Sequence, residues 1–134
     1  MALMITIPKA DLAKSIPLPE GWAEFEIVAA YAKPSKAGDS INYWASHKLV
    51  GDLNEREIDH CFSSKALGIM NTWLAALAGK TIQEVLDGIT SGALTFDFES
   101  TIGKHVMGKV KQEPFEGRII SKIIDYATVG KVPF

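Results

Sequence analysis

A single cysteine, Cys61, stands in the 134 residues, so no intramolecular disulfide can form. That excludes the cross-linked frameworks on which small secreted domains depend and points to a reducing, cytoplasmic setting. No uninterrupted apolar stretch of membrane-spanning length is present either. The strongest apolar stretch, Met70 to Ala78, is interrupted by Asn71 and Thr72 and falls far short of the roughly 20 residues of a membrane-spanning helix. Residues 1–8 are apolar but no positive region precedes them, so neither a secretory signal nor a membrane partner is expected. Neither sign of charge dominates: 14 basic side chains stand against 16 acidic ones, a net of −2, which argues against a strongly basic nucleic-acid binder.

Catalytic groupings are equally thin. A metal site needs several ligands at workable spacing. His60 and Cys61 are neighbours that a strand would send to opposite faces, while His47 and His105 stand alone. No Ser-His-Asp set can be assigned from local sequence, and no glycine-rich phosphate loop is present, Gly117-Arg118 being none. The pairs Glu24 with Glu26 and Asp97 with Glu99 have strand spacing and are expected to lie on solvated faces. Cys61 is expected to be a buried, inert thiol. We therefore expect no enzyme, no metal and no cofactor.

What is present is enough apolar material, 47 % of residues, for one self-sufficient core. We expect a single domain over 1–134, with residues 1–18 as a lead-in whose prolines (Pro8, Pro17) limit regular structure, and 130–134 as a short tail. Charge is distributed unevenly. Residues 1–103 hold 8 basic and 13 acidic side chains, whereas residues 104–134 hold 6 and 3. A fold that gathers the second group would present a basic strip.

Hydrophobic periodicity predicts the elements. Trp22–Lys33 alternates as a strand with Phe25, Ile27, Ala29 and Tyr31 on one face and Glu24 and Glu26 on the other. A polar loop, 34–39, leads to a second strand, Ile41–Val50, with Tyr43, Ala45, His47 and Leu49 on one face and Asn42, Trp44, Ser46 and Lys48 on the other. A short strand at Ile58–Phe62 follows. A helix capped by Ser63 or Ser64 carries Leu67, Met70, Trp73, Leu74 and Leu77 at helical spacing and ends at Gly79. Thr81-Ile-Gln-Glu84 fits a capping box for a short second helix to Asp87. Leu94–Phe98 is expected as a strand, as is His105–Gln112. A turn at 113–117 then joins the last strand, Arg118–Val129. Hairpins with a helix between the third and fourth strands predict a mainly β protein: an OB-fold-like, five-stranded Greek-key barrel with one or two helices.

Two stretches carry a family resemblance. Pro19-Glu-Gly-Trp-Ala-Glu-Phe-Glu-Ile27 with Lys33-Pro-Ser-Lys-Ala-Gly-Asp-Ser-Ile41 is the first. The second runs through Ile102-Gly-Lys-His-Val106, Gly108-Lys-Val-Lys111, Phe115-Glu-Gly-Arg118 and Ile124-Asp-Tyr126. Over about residues 19–126 the chain resembles the short single-stranded DNA-binding proteins of bacteriophages, which are OB-fold proteins. The resemblance implies largely sequence-independent binding of single-stranded DNA in phage replication or recombination, in the host-cell cytoplasm, with replication or recombination proteins as further partners. Many such binders end in an acidic tail with a terminal aromatic residue. This chain keeps the end, Pro133-Phe134, as a candidate partner-binding tail, but not the acidic run.

Single-strand binding needs basic groups along the phosphates and aromatic faces for the bases. Trp44 is the leading stacking candidate, out of phase with its strand's apolar face and in phase with Lys48. Packing under the helix or the lead-in is its other possible environment. Lys33 and Lys36 flank the first loop. Lys109 and Lys111 share a strand face, with Phe115 at the following turn and Arg118 and Lys122 on the last strand. Each lysine alone is an ordinary solvated charge; the group is the candidate site. Trp22 is expected to plug a barrel end, and Trp73, Tyr31 and Tyr43 to lie in the core. Two alternatives to DNA binding fit the composition: a protein-interaction module that recruits or inhibits a DNA-processing protein, and a virion structural protein. A dimer is compatible with the pattern.

Overall fold

The computed structural model describes residues 2–131. In chain order it contains α1 (Lys9–Lys14), β1 (Gly21–Pro34), β2 (Ile41–Leu49), β3 (Glu57–Ser63), α2 (Gly68–Ala78), α3 (Ile82–Asp87), a 3-10 turn at Phe98–Thr101, β4 (His105–Phe115) and β5 (Arg118–Ala127). The strands form one antiparallel sheet in the order β3-β2-β1-β4-β5. The mainly β, antiparallel expectation therefore holds, with three short helices around an open sheet. No helix among the described residues is long and apolar enough to cross a membrane.

β1 organises the sheet because it is long enough to serve two partners. Its first half, Gly21–Glu26, pairs with β4, and Phe25–Pro34 pairs with β2. Alternation sends Phe25 and Ile27 inward, where they meet Ala45, Ile58, Phe62, Val106, Val110, Ile123 and Tyr126 from the other strands. α2 covers this cluster with Met70, Trp73 and Ala76. Burial of each large side chain contributes about 1.5–3 kcal/mol. Gly79 ends α2 in the left-handed conformation (φ 67°), which glycine adopts without steric cost, and the Lys80 N–H returns to the Ala75 carbonyl at 3.0 Å. Thr81 and Glu84 form the expected capping box of α3.

The two sheet edges approach each other. His60 Nδ1 on β3 lies 2.5 Å from the Tyr126 hydroxyl on β5. At one end of this seam the lead-in spans the gap. The Leu18 N–H donates to Ser121 Oγ at 2.7 Å, Gln112 Nε2 donates to the Leu18 carbonyl at 2.8 Å, and Arg56 donates to the Ile16 carbonyl at 3.4 Å.

Several local expectations are corrected. Leu94–Phe98 is not a strand. Asp97 Oδ1 accepts the Glu99 N–H at 3.1 Å and the Asp97 carbonyl accepts the Ser100 hydroxyl at 2.6 Å, so local side-chain bonds turn the chain into a 3-10 turn. Neither Ser63 nor Ser64 caps α2, which starts later, at Gly68. Their hydroxyls are used where β3 leads into the β3–α2 connection instead, Ser64 Oγ accepting the Ile41 N–H and Ser63 Oγ the Lys65 N–H. Leu67 consequently precedes the helix and is exposed. The lead-in holds a helix, α1, directly after Pro8, a position where the missing N–H costs nothing.

The most consequential correction is in β1. A bulge between Ile27 and Ala29 resets the alternation, so Ala30 points inward and Ala29, Tyr31 and Lys33 point outward. Tyr31 is thus not a core residue. Trp22 does not plug an end either; it shares the outward phase of Glu24 and Glu26 and is half-buried. Tyr43 does pack against the core, edge-on to Phe98 at 5.6 Å, and Trp73 is fully buried.

Candidate nucleic-acid interface

The outer face of β1, β2 and β3 is set by register. Tyr31, Trp44 and Cys61 lie side by side across the three strands, and Lys33, Asn42 and Ser63 form the row above. Lys33 Nζ stands 5.3 Å from the centre of the Tyr31 ring, a cation–π contact. Trp44 is half-buried and Tyr31 is 39 % exposed, so two aromatic faces and one ammonium group share a patch of sheet open to solvent. Burial raises the Cys61 thiol above its ordinary value, so it is a poor nucleophile.

The β1–β2 loop beside this patch is internally braced. The Ser35 N–H bonds the Ser40 carbonyl at 2.9 Å and the Gly38 N–H bonds the Ser35 carbonyl at 3.0 Å. Asp39 pairs with Lys65, which holds its carboxyl below the usual range and ties the loop to the β3–α2 connection. Lys36 projects exposed from this loop.

Lower on the same face the charge reverses. Lys48 is bracketed by Glu26 and Glu57 across the ladders and forms an ion pair with Glu55 at 3.3 Å; Asp59 lies beside Ser46. His105 adds to this region, its Nδ1 2.7 Å from Glu24 and its Nε2 3.8 Å from Glu26.

The remaining candidates lie on the β4–β5 hairpin. Lys111 and Lys122 face each other directly across the ladder, a repulsive arrangement relieved by Glu113 at 3.4 Å from Lys122. Lys109 is flanked by Asp125 and by Trp22. Phe115 and Arg118 face each other at the hairpin end. The connecting residues, Glu116 and Gly117, both have positive φ (48° and 78°), the signature of a two-residue type I′ turn. Arg118 lines a cleft of about 440 Å³ with Lys14, Arg56 and Ile58, which brings the β4–β5 hairpin to the start of β3. Arg56 is held there by Asp52 at 2.9 Å, and this bond lowers the Asp52 carboxyl to about 2.

The nine candidate side chains therefore separate into two groups. Lys33, Lys36, Trp44 and Lys48 belong to the β1–β2 face, and Lys109, Lys111, Phe115, Arg118 and Lys122 to the β4–β5 hairpin. Pro133 and Phe134 lie outside the described residues. Alternation alone missed Tyr31. The signal was Lys33 two residues on, because a lysine and its i+2 neighbour share a face and that face cannot be the core. Among the described residues no group of three or more His, Cys, Asp and Glu side chains is arranged to hold a metal ion.

The chain matches no known family model and no curated protein.

Proposed function

We propose that the chain is a single-stranded DNA-binding protein built on an OB-type barrel and that the strand crosses the outer face of β1–β3. The strand order supports the fold. A five-stranded Greek-key barrel opened between its third and fifth strands has the order β3-β2-β1-β4-β5, with a helix between the third and fourth strands, and such barrels bind oligonucleotides across strands two and three and the flanking loops. The observation that carries the function is the outward Tyr31–Trp44 pair with Lys33 over the tyrosine ring, bases being stacked on aromatic faces while ammonium groups meet phosphates. Lys36 extends the basic edge at the first loop. The hairpin group, with Phe115 and Arg118 beside the start of β3, is a second contact zone. Glu26, Glu57 and Asp59 direct the backbone away from the lower part of the face.

The acidic lower face favours a second reading, a protein-interaction module, since Lys48 is already neutralised by Glu55. Polarisation binding to a labelled oligothymidine at low and moderate salt, with a duplex of the same length as control, separates the two. Single-strand binding whose log affinity falls linearly with log salt supports the DNA reading. No binding at micromolar protein in low salt sinks it.

A further inference from the structure

Two apolar features have no partner among the described residues. The first is the leading segment. Leu3, Met4, Ile5 and Ile7 lie outside any helix or strand and are exposed at 91, 85, 79 and 55 %, and α1, which follows, buries no residue. The second is a groove between α2, α3 and the stretch after α3. A cavity of about 180 Å³ lined by Leu74, Ile82, Val85, Leu86 and Leu94 continues into one of about 310 Å³ that reaches Phe96. Ile82, Leu86, Leu94 and Phe96 are exposed at 53, 58, 49 and 40 %. Asn71 is the one polar side chain lining the first cavity and Lys80 the one charged side chain lining the second, so the floor between them suits apolar side chains.

We propose that residues 2–7 of one copy fill the α2–α3 groove of a second copy, and reciprocally, giving a two-fold, arm-exchanged dimer. In an extended segment Leu3, Ile5 and Ile7 project to one side, the pattern a groove with one apolar floor requires. A reciprocal exchange is self-complementary, the condition for a closed two-fold assembly. Size also fits. With roughly 100 Å² for each of the three arm side chains that face the groove and a similar area of groove, two exchanges cover roughly 1,200 Å², the lower end of the range for a stable specific interface. The lead-in is pinned by Leu18 to Ser121, whereas α2 is tied by Ala76 to Thr128 at 2.9 Å. These anchor points are about 23 Å apart along an extended β5, so the lead-in is anchored at the opposite end of β5 from the helix that floors the groove. This inference does not rest on DNA binding.

The test is the oligomeric state of the full chain by sedimentation equilibrium, with Ile5→Asp and Leu86→Asp as variants at two exposed positions that leave the core intact. We expect a dimer that each substitution weakens by about tenfold or more. In a Cys61→Ser background, chains carrying Ile5→Cys mixed with chains carrying Leu86→Cys should form a mixed inter-chain disulfide under mild oxidation. This readout stands even where an aspartate variant folds poorly. A monomer at all concentrations overturns the proposal, as does a dimer indifferent to both substitutions. A chain with both cysteines that closes the bond within one monomer overturns it too, placing the arm on its own groove.

Discussion

His60 on β3 and Tyr126 on β5 meet across the one gap in the sheet that carries no backbone ladder, the imidazole Nδ1 2.5 Å from the phenolic oxygen. His60 is also stacked on Phe62 at 4.5 Å. A second imidazole lies nearby, the His47 ring centre 5.5 Å from that of Tyr126. Trp73 Nε1 donates to His47 Nε2 at 3.0 Å. A tryptophan only donates, so Nδ1 of His47 carries the proton and donates to the Ile58 carbonyl at 3.3 Å. Both histidines therefore work as neutral connectors, one between sheet and helix, the other between the sheet edges.

Neutral, buried histidines make stability depend on pH. Burial lowers His47 to about 4, and burial with the nearby Lys122 charge lowers His60 to about 4. The unfolded chain takes up these protons near its ordinary value of about 6.5, the folded chain only near 4, so acid favours unfolding. Stability should be full above about pH 6.5 and decline as pH falls toward about 4. His47 alone accounts for a loss on the order of 3 kcal/mol, and His60 adds to it in the same direction. Denaturant melts at pH 7.5, 6, 5 and 4 check this. A midpoint unchanged down to pH 5 would show that the imidazoles are not held neutral.

Tyr126→Phe removes only the hydroxyl and leaves His60 Nδ1 without its partner. The expected cost is about 1–3 kcal/mol, the range for stranding a buried polar group. Thermal unfolding should move down by several degrees while the circular dichroism of the fold is retained. Equal Tm values for the variant and the parent would mean that the seam bond contributes nothing.

Gly108 sits on the inner face of β4, where a Cβ would stand 3.0 Å from the Phe25 ring and 3.1 Å from Ile123 Cγ2. Phe25 is fully buried and cannot withdraw. Gly108→Val should destabilise by about 1–3 kcal/mol through overpacking. Chemical denaturation gives the value directly, and a neutral result would mean that the core has room the distances deny.

The sheet was legible because its strands obey a period of two over most of their length. β2 reads correctly from Ile41 to Leu49, and Trp73 reads correctly as core from its place on the α2 stripe. Illegible features are those decided by a single residue or by distant contacts. The bulge at Val28 inserts one residue, and everything after it on β1 changes face, which turned Tyr31 from core to surface. The Leu94–Phe98 alternation is genuine, yet the Asp97 side chain bonds locally and turns the chain instead. The candidate site was half legible. Phase placed Trp44 outward and grouped Lys109 with Lys111. That Lys48 is neutralised by Glu55 depends on the β2–β3 loop bending back, which periodicity does not encode.

The bulge also yields the sharpest test of the proposed interface. If Tyr31 and Trp44 form one stacking platform, Trp44→Ala and Tyr31→Ala should each weaken oligothymidine binding by about 1–3 kcal/mol. Neither side chain belongs to the core, so the fold should persist. Because the two residues are direct cross-strand neighbours, the double variant should lose less than the sum of the single losses. Lys33→Ala should reduce the salt slope by about one ion and lower affinity at low salt. Tyr43→Ala is the control: its ring packs against Phe98 and the core, so it should lower Tm while leaving the affinity of the folded fraction unchanged. Affinity that ignores both Tyr31 and Trp44 would move the interface to the β4–β5 hairpin, where Phe115→Ala and Arg118→Ala would then carry the loss.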